Sequence, residues 1–272
     1  MSAWLLDHAG IARFFLVGGV LAILLIVQRL RPRRGEPSAR WRRLRNISMS
    51  LIAAGVVYLV LPLTAVGFAA AVGSLHLGLF NYLDWPFLLE FAISIIVLDL
   101  AIYWQHRWMH LVPWLWRLHR VHHSDTRFEV TLGLRFHPLE IILSLLYKFL
   151  VIALLGAAPL TVLAYEILLA VFSLFSHADI SLPSGWDRHL RRVVITPDWH
   201  RVHHSVHREE TDSNYGNFLS LWDRCFASSN EQPRDGHRPM LIGLTQFRDE
   251  ESQSLPALLL NPFAKNRKPT KR

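Results

Sequence analysis

The sequence predicts an all-α integral membrane protein with four or five transmembrane helices and a cytoplasmic, histidine-rich helical cap holding a dinuclear metal site. Three observations predict it. Five apolar segments, near residues 11–26, 51–72, 87–103, 139–155 and 160–175, approach the length of about 20 helical residues that a bilayer requires. The hexad His119-Arg120-Val121-His122-His123-Ser124 recurs letter for letter as His200-Arg201-Val202-His203-His204-Ser205. The arginines are gathered in one loop, in a chain of net charge +8 that is nonetheless 51% apolar.

In chain order, segment 11–26 is not followed by a small-residue cleavage site and reads as a retained helix rather than a signal peptide. Residues 29–45 hold eight arginines (29, 31, 33, 34, 40, 42, 43 and 45), whereas 73–86 has no Lys or Arg. The positive-inside rule puts the arginine loop in the cytoplasm and the N-terminus outside. Alternation then sets 106–138 and everything after about 176 in the cytoplasm, so all the clustered histidines fall on one side. Gly156-Ala157-Ala158-Pro159 breaks the last two segments into a hairpin. The shorter segments have room to tilt or re-enter, which leaves the span count at four or five.

The division expected is an N-terminal membrane region (1–86), a catalytic domain (87–228) and a cytoplasmic tail (229–272). The basic end of that tail, 265–272, reads as disordered or resting on anionic headgroups. A basic, apolar chain of this kind fits a membrane protein better than a nucleic-acid binder. Cys225 is the single cysteine, which excludes an intramolecular disulfide and a cysteine-held iron–sulfur cluster. Basic residues are mostly Arg, with Lys only at 148, 265, 268 and 271, which points to a GC-rich bacterial genome and hence an inner-membrane location.

The chemistry lies in the histidines. On a helix, positions i, i+3 and i+4 share a face, so each hexad is expected to present three imidazoles in one direction. His106 and His110 form a further i, i+4 pair, and His137 and His177 flank the hairpin. Ten histidines (106, 110, 119, 122, 123, 137, 177, 200, 203 and 204) exceed one metal and suit two of five or six coordination, with positions left open. A zinc protease of the H-E-x-x-H type needs Glu beside its first histidine, where this chain has Arg107, Arg120 or Arg201. Haem ligation across a membrane would spread histidines along the spans instead of crowding them at one end.

These pieces, HRWMH, HRVHHS, HPLE, SHADISLP, TPDWHRVHHS and NYGNFLSLWDR in that order over roughly residues 90–228, resemble the membrane fatty acid hydroxylase/sterol desaturase superfamily. The HPLE stretch and the histidine after the hairpin are most similar to its sterol-oxidising and ether-lipid-oxidising branches. The resemblance implies two irons per chain, with O2 as co-substrate, taking hydrogen from an unactivated C–H bond of a lipid to leave an alcohol or a double bond. It also implies a separate electron donor: a ferredoxin-like protein, a cytochrome or a reductase. Carried over residue by residue, it makes His106, His110, His119, His122, His123, His200, His203 and His204 iron ligands, with His177 nearly as secure. His137 either ligates or caps the next helix.

An all-imidazole site needs anions nearby. Asp99 shares the helical stripe of His106 and His110, close to Tyr103; it either orients a histidine from another segment or packs against a polar neighbour. Glu140, Asp179, Asp198 and Asp223 are placed to support ligands or to act as ordinary caps, and Asn214 is near the site by resemblance only. Lys148 and Glu166 stand equally far from the hairpin break and read as a structural ion pair. His8, His76, His189 and His237 stand alone, and His207 reads as a solvated surface histidine. The rival class is a non-enzymatic metal-binding or metal-transport protein, which would string polar ligands across the bilayer rather than stop at one face.

Overall fold

A computed structural model describes residues 8–35, 40–61, 63–83 and 85–265. Among these there is no strand, and five helical stretches are long and apolar enough to cross a bilayer: Ala9–Leu30, Arg40–Tyr82, Phe87–Leu111, Pro138–Leu155 and Pro159–Ser176. The basic tail beyond Lys265 lies outside the described residues.

The first stretch is a single helix, α1 (Ala9–Leu30). The second departs from the expected span at 51–72: it is divided into α2 (Arg40–Val60), α3 (Ala65–Ser74) and the short α4 (Leu79–Tyr82). Pro62 brings no N–H to a helical ladder, and Thr64 restarts the helix as a cap, its Oγ1 accepting from Gly67 N at 3.0 Å. The third, α5 (Phe87–Leu111), runs past the expected end at 103 and carries His106 and His110 on its last turns. Pro113 then opens α6 (Pro113–His123) at the position where a missing N–H costs nothing.

A 3-10 turn (Val130–Leu134) leads to the hairpin of α7 (Pro138–Leu155) and α8 (Pro159–Ser176), each with proline in its first turn. Gly156 ends α7 in the left-handed region at φ 71°, its N–H bonded to Ile152 O. Gly78 sits against it so closely that a Cβ on Gly78 would stand 2.2 Å from Gly156 N.

Helices α1, α2, α3 and α5 pack around this hairpin. Ala65 and Ala69 of α3 are almost fully buried against Leu98, Ile102, Leu145 and Val162. Small residues of this kind let helices approach closely where lipid removes the usual hydrophobic drive for association. Lys148 and Glu166 meet as expected, but Arg13 of α1 joins them, Nη1 to Oε2 at 2.6 Å.

The cap is built from α9 (Ser184–Leu190), α10 (Pro197–His203), α11 (Arg208–Thr211), α12 (Leu221–Cys225) and α13 (Leu255–Leu260), joined by long irregular segments. Several arginines of the loop are tied to the folded chain rather than solvated. Arg33 holds Asp198 at 3.0 Å, Arg34 donates to the carbonyls of His237 and Met240, and Arg42 pairs with Asp125 and Glu129. The arginines and the histidines therefore share one end of the bundle.

Candidate metal centre

Four helix ends converge there: the last turns of α5, α6, the end of α8 and α10. The last is only seven residues long and is capped by Thr196, whose Oγ1 accepts from Trp199 N. Their imidazoles form two adjoining groups. His106, His110, His119, His123 and His203 make one, and His122, His177, His200 and His204 the other; within each group one ring nitrogen per residue lies within 4.8 Å of all the rest.

Each hexad serves both groups, in opposite senses. The first gives its i and i+4 histidines (119, 123) to one group and its i+3 (122) to the other; the second gives 200 and 204 to the latter and 203 to the former. The helix itself causes the split. Residues i and i+4 differ by about 40° around the axis, while i+3 lies about 60° to the other side of i. The expectation that all three imidazoles point one way therefore fails, and each copy instead gives two histidines to one group and one to the other.

The rings are held by their outer nitrogens. His106 Nδ1 pairs with Tyr215 O at 2.7 Å, His203 Nδ1 with Ser213 O at 2.6 Å and His177 Nδ1 with Ser173 O at 2.6 Å. His119 Nδ1 lies 2.6 Å from Glu140 Oε1, and His110 Nδ1 lies 3.3 Å from Asp212 Oδ1. Carboxylates and carbonyls in this position fix the tautomer and orient the ring for a metal.

The inner nitrogens fit a cation. With its Nδ1 proton given to Ser173, His177 turns the Nε2 lone pair toward His122, His200 and His204, whose Nε2 atoms each lie 3.1 Å away. One lone pair cannot accept from three donors at once, whereas two nitrogens about 2.1 Å from one metal at right angles stand about 3.0 Å apart. In the other group, Nε2 of His110, His123 and His203 is buried without a hydrogen-bond partner. Burial also pushes the imidazoles of His122, His123, His200 and His204 well below their ordinary pKa, His177 to about 4 and His203 to about 3, which keeps them in the neutral form that metals bind.

The other expected site residues lie further out. His137 belongs to neither group: its Nδ1 accepts from Leu139 N, capping α7, and its Nε2 faces Leu259 O at 3.1 Å. The geometry selects the cap over the ligand because the ring stands at the start of α7, turned toward α13. Asp99 accepts from Trp222 Nε1 at 2.8 Å and from Leu219 N at 3.1 Å, with no histidine hydrogen-bonded to it. Asp179 accepts from the backbone of Arg34 and Gly35, tying the arginine loop down. Asn214, at φ 54°, bridges Trp199 O and the backbone of Asn230. Of the six carboxylate and amide candidates, Glu140 alone hydrogen-bonds a grouped histidine.

The carbonyls of Ser173, Ser213 and Tyr215 leave no mark in residue type, and the Asp212 side chain meets His110 only through the tertiary fold. Asp223 accepts from Tyr215 N, Gly216 N, Ser228 Oγ and Trp199 Nε1, and so shapes the turn that supplies the Tyr215 carbonyl. His207 pairs with Asp235 at the surface. His237, isolated in sequence, is buried 3.8 Å from Asp198. The hexad arginines are buried and engaged elsewhere: Arg120 holds Asn261 and the Ala264 carbonyl, and Arg201 holds Asp198.

A cavity of about 660 Å3 reaches the groups from within the bundle, lined by His106, His119, His122, His177 and His200 together with apolar side chains such as Ile102 and Leu174.

A family model described as fatty acid hydroxylase matches residues 91–228. Ornithine lipid hydroxylase OlsE of Rhizobium tropici is 28% identical over 182 residues, 67% of this chain and 53% of that protein. Alkylglycerol monooxygenase of Homo sapiens is 29% identical over 168 residues, 61% of this chain and 35% of that protein. Cholesterol 25-hydroxylase of Rattus norvegicus is 27% identical over 140 residues, 50% of this chain and 45% of that protein. The matches thus span about half or less of these relatives. No solved structure matches the chain.

Proposed function

Because the chain belongs to the fatty acid hydroxylase family, we propose that it is an O2-dependent di-iron oxidoreductase of the membrane that hydroxylates or desaturates an unactivated C–H position of a lipid. The observation that carries this reading is the opening of both imidazole groups onto one largely apolar cavity inside the bundle. His106, His110, His119, His123 and His203 would hold one iron, and His122, His177, His200 and His204 the other. Bound iron would supply the activation of O2 that no side chain provides.

The chain's own residues do the rest. Ile102, Leu145 and Leu174 line the cavity, exclude water and hold an aliphatic carbon against the histidine wall. Glu140, Asp212 and the Ser173, Ser213 and Tyr215 carbonyls hold the rings in place. The relatives are named for an ornithine lipid, an alkylglycerol and cholesterol, which supports a lipid as substrate. Hydroxylation puts one oxygen atom into the lipid and the other into water, using electrons from a separate donor protein. The arginine loop beside the cap supports a cytoplasmic site in a bacterial inner membrane. Metal transport is disfavoured because the ligands close into two groups at one end of the bundle instead of marking a path through it.

The test is elemental analysis of anaerobically purified protein beside His122→Ala/His203→Ala, which removes one ligand from each group. About two irons per chain, lost in the variant, together with an O2- and reductant-dependent lipid product, is the expected result. One metal or none, or a content unchanged by the substitutions, would overturn the di-iron reading.

A further inference from the structure

We propose that Arg13, Lys148 and Glu166 form an anion-recognition site in the cavity, remote from the histidines, which holds the charged end of a lipid while its chain extends to the metal groups. The inference rests on the function proposed above and adds the feature of the lipid that the protein reads.

Lys148 Nζ is bound to Glu166 Oε1, and Arg13 Nη1 lies 2.6 Å from Glu166 Oε2. Both oxygens of the single carboxylate are engaged, so two cations face one anion and the cluster keeps a net charge of +1. A pair that served only to neutralise itself within the helices would be complete with Lys148 and Glu166 alone. Arg13 leaves it unbalanced. The side chains of Lys148 and Glu166 are 11% and 7% exposed, in helices long and apolar enough to span the bilayer. Excess charge at such a position is costly and is retained where it meets a partner.

All three side chains line the cavity that His106, His119, His122, His177 and His200 also line. Glu140, the other carboxylate on its wall, is already bound to His119. Among the described residues no further carboxylate pairs with the cluster, which leaves its excess charge to an anion within the cavity. Guanidinium and ammonium groups together suit a carboxylate or a phosphate.

The placement also sets a length. Lys148 follows Pro138, the histidine end of α7, by ten residues, and Glu166 precedes His177 by eleven. At 1.5 Å per helical residue the anchor stands about 15–17 Å from the metal groups. A charged end fixed there would present a carbon well along the chain, so position of attack would follow from helix geometry. Arg13, whose side chain is 45% exposed, and Tyr58, 77% exposed, stand where the cavity meets the outside of the bundle, a way in from the bilayer.

The test uses the full chain in phosphatidylcholine nanodiscs, with radiolabelled hexadecanoate displaced by hexadecyl phosphate or by hexadecanol. Both anions should bind about tenfold or more tightly than the alcohol, the scale of one charge-assisted contact. Arg13→Gln and Lys148→Gln should each cut that advantage to about threefold or less, while Arg188→Gln, on exposed α9, leaves it intact. Tighter phosphate binding would assign the anion to a phospholipid headgroup, and tighter carboxylate binding to an acyl carboxylate; either supports the site.

Equal affinity for anions and alcohol would overturn the proposal, as would a preference kept by the folded variants or lost equally in Arg188→Gln. Should Lys148→Gln fail to fold, Lys148→Gln/Glu166→Gln removes both buried charges together, and Arg13→Gln alters the open side of the cluster. Binding is read without O2 or reductant. Anion preference without lipid oxidation would therefore overturn the oxidase and keep the anchor, and oxidation without preference would do the reverse.

Discussion

Glu140 stands in the first turn of α7 with one oxygen 2.6 Å from His119 Nδ1, and the residue is 5% exposed. Asp212 makes the corresponding contact to His110 at a longer 3.3 Å, and its side chain is 26% exposed. A carboxylate that is close and dry does more to fix a ligand than one that is longer and wetter. Glu140→Gln should therefore lower iron affinity or turnover about 10–100-fold, and Asp212→Asn less; iron titration of the metal-free variants checks the order. Equal effects would mean that the contact distances do not rank the two supports. Neither role is evident from residue type. Glu140 was one of several acids near histidines, and only the docking of α7 against α6 singles it out from Asp99 and Asp179, which bind Trp222 and the arginine loop.

At the scale of elements, the α7–α8 hairpin braces the site and supplies His177 to it. His137 caps its first helix, His177 ends its second, and Lys148 and Glu166 face one another between them. Its turn depends on Gly156, where φ is 71° and an added Cβ would lie 2.6 Å from Asn81 Nδ2 and 2.8 Å from Leu77 O. Gly156→Ala should destabilise the protein by about 1–3 kcal/mol, seen as a lower thermal midpoint in detergent with iron content retained in the folded fraction. An unchanged midpoint would show that the hairpin tolerates another turn. The break at Gly156–Pro159 was legible in sequence because glycine and proline mark such turns directly. The division of the expected span 51–72 was not, because its hydropathy continues across Pro62.

At the scale of the molecule, the two imidazole groups gather the ends of α5, α6, α8 and α10 at one end of the bundle, and metals bound there would act as cross-links among them. Removing metal with a chelator should lower the thermal midpoint, with several kcal/mol of stability lost, and His122→Ala/His203→Ala should abolish the difference between metal-loaded and metal-free protein. A midpoint indifferent to metal would leave the helices held by packing alone. The sequence by itself determined the class of this protein, its apolar helices, its hairpin and, among the ten histidines it nominated, all nine that the structure gathers, because hydropathy and repeated motifs are written in residue type. Tertiary structure alone decided that each hexad divides between two groups, that His137 caps a helix, that backbone carbonyls steer three of the rings and that Arg13 unbalances a buried ion pair. Those outcomes depend on the rotation of one helix against another and on contacts between residues as distant as Arg13 and Glu166, which no local pattern encodes.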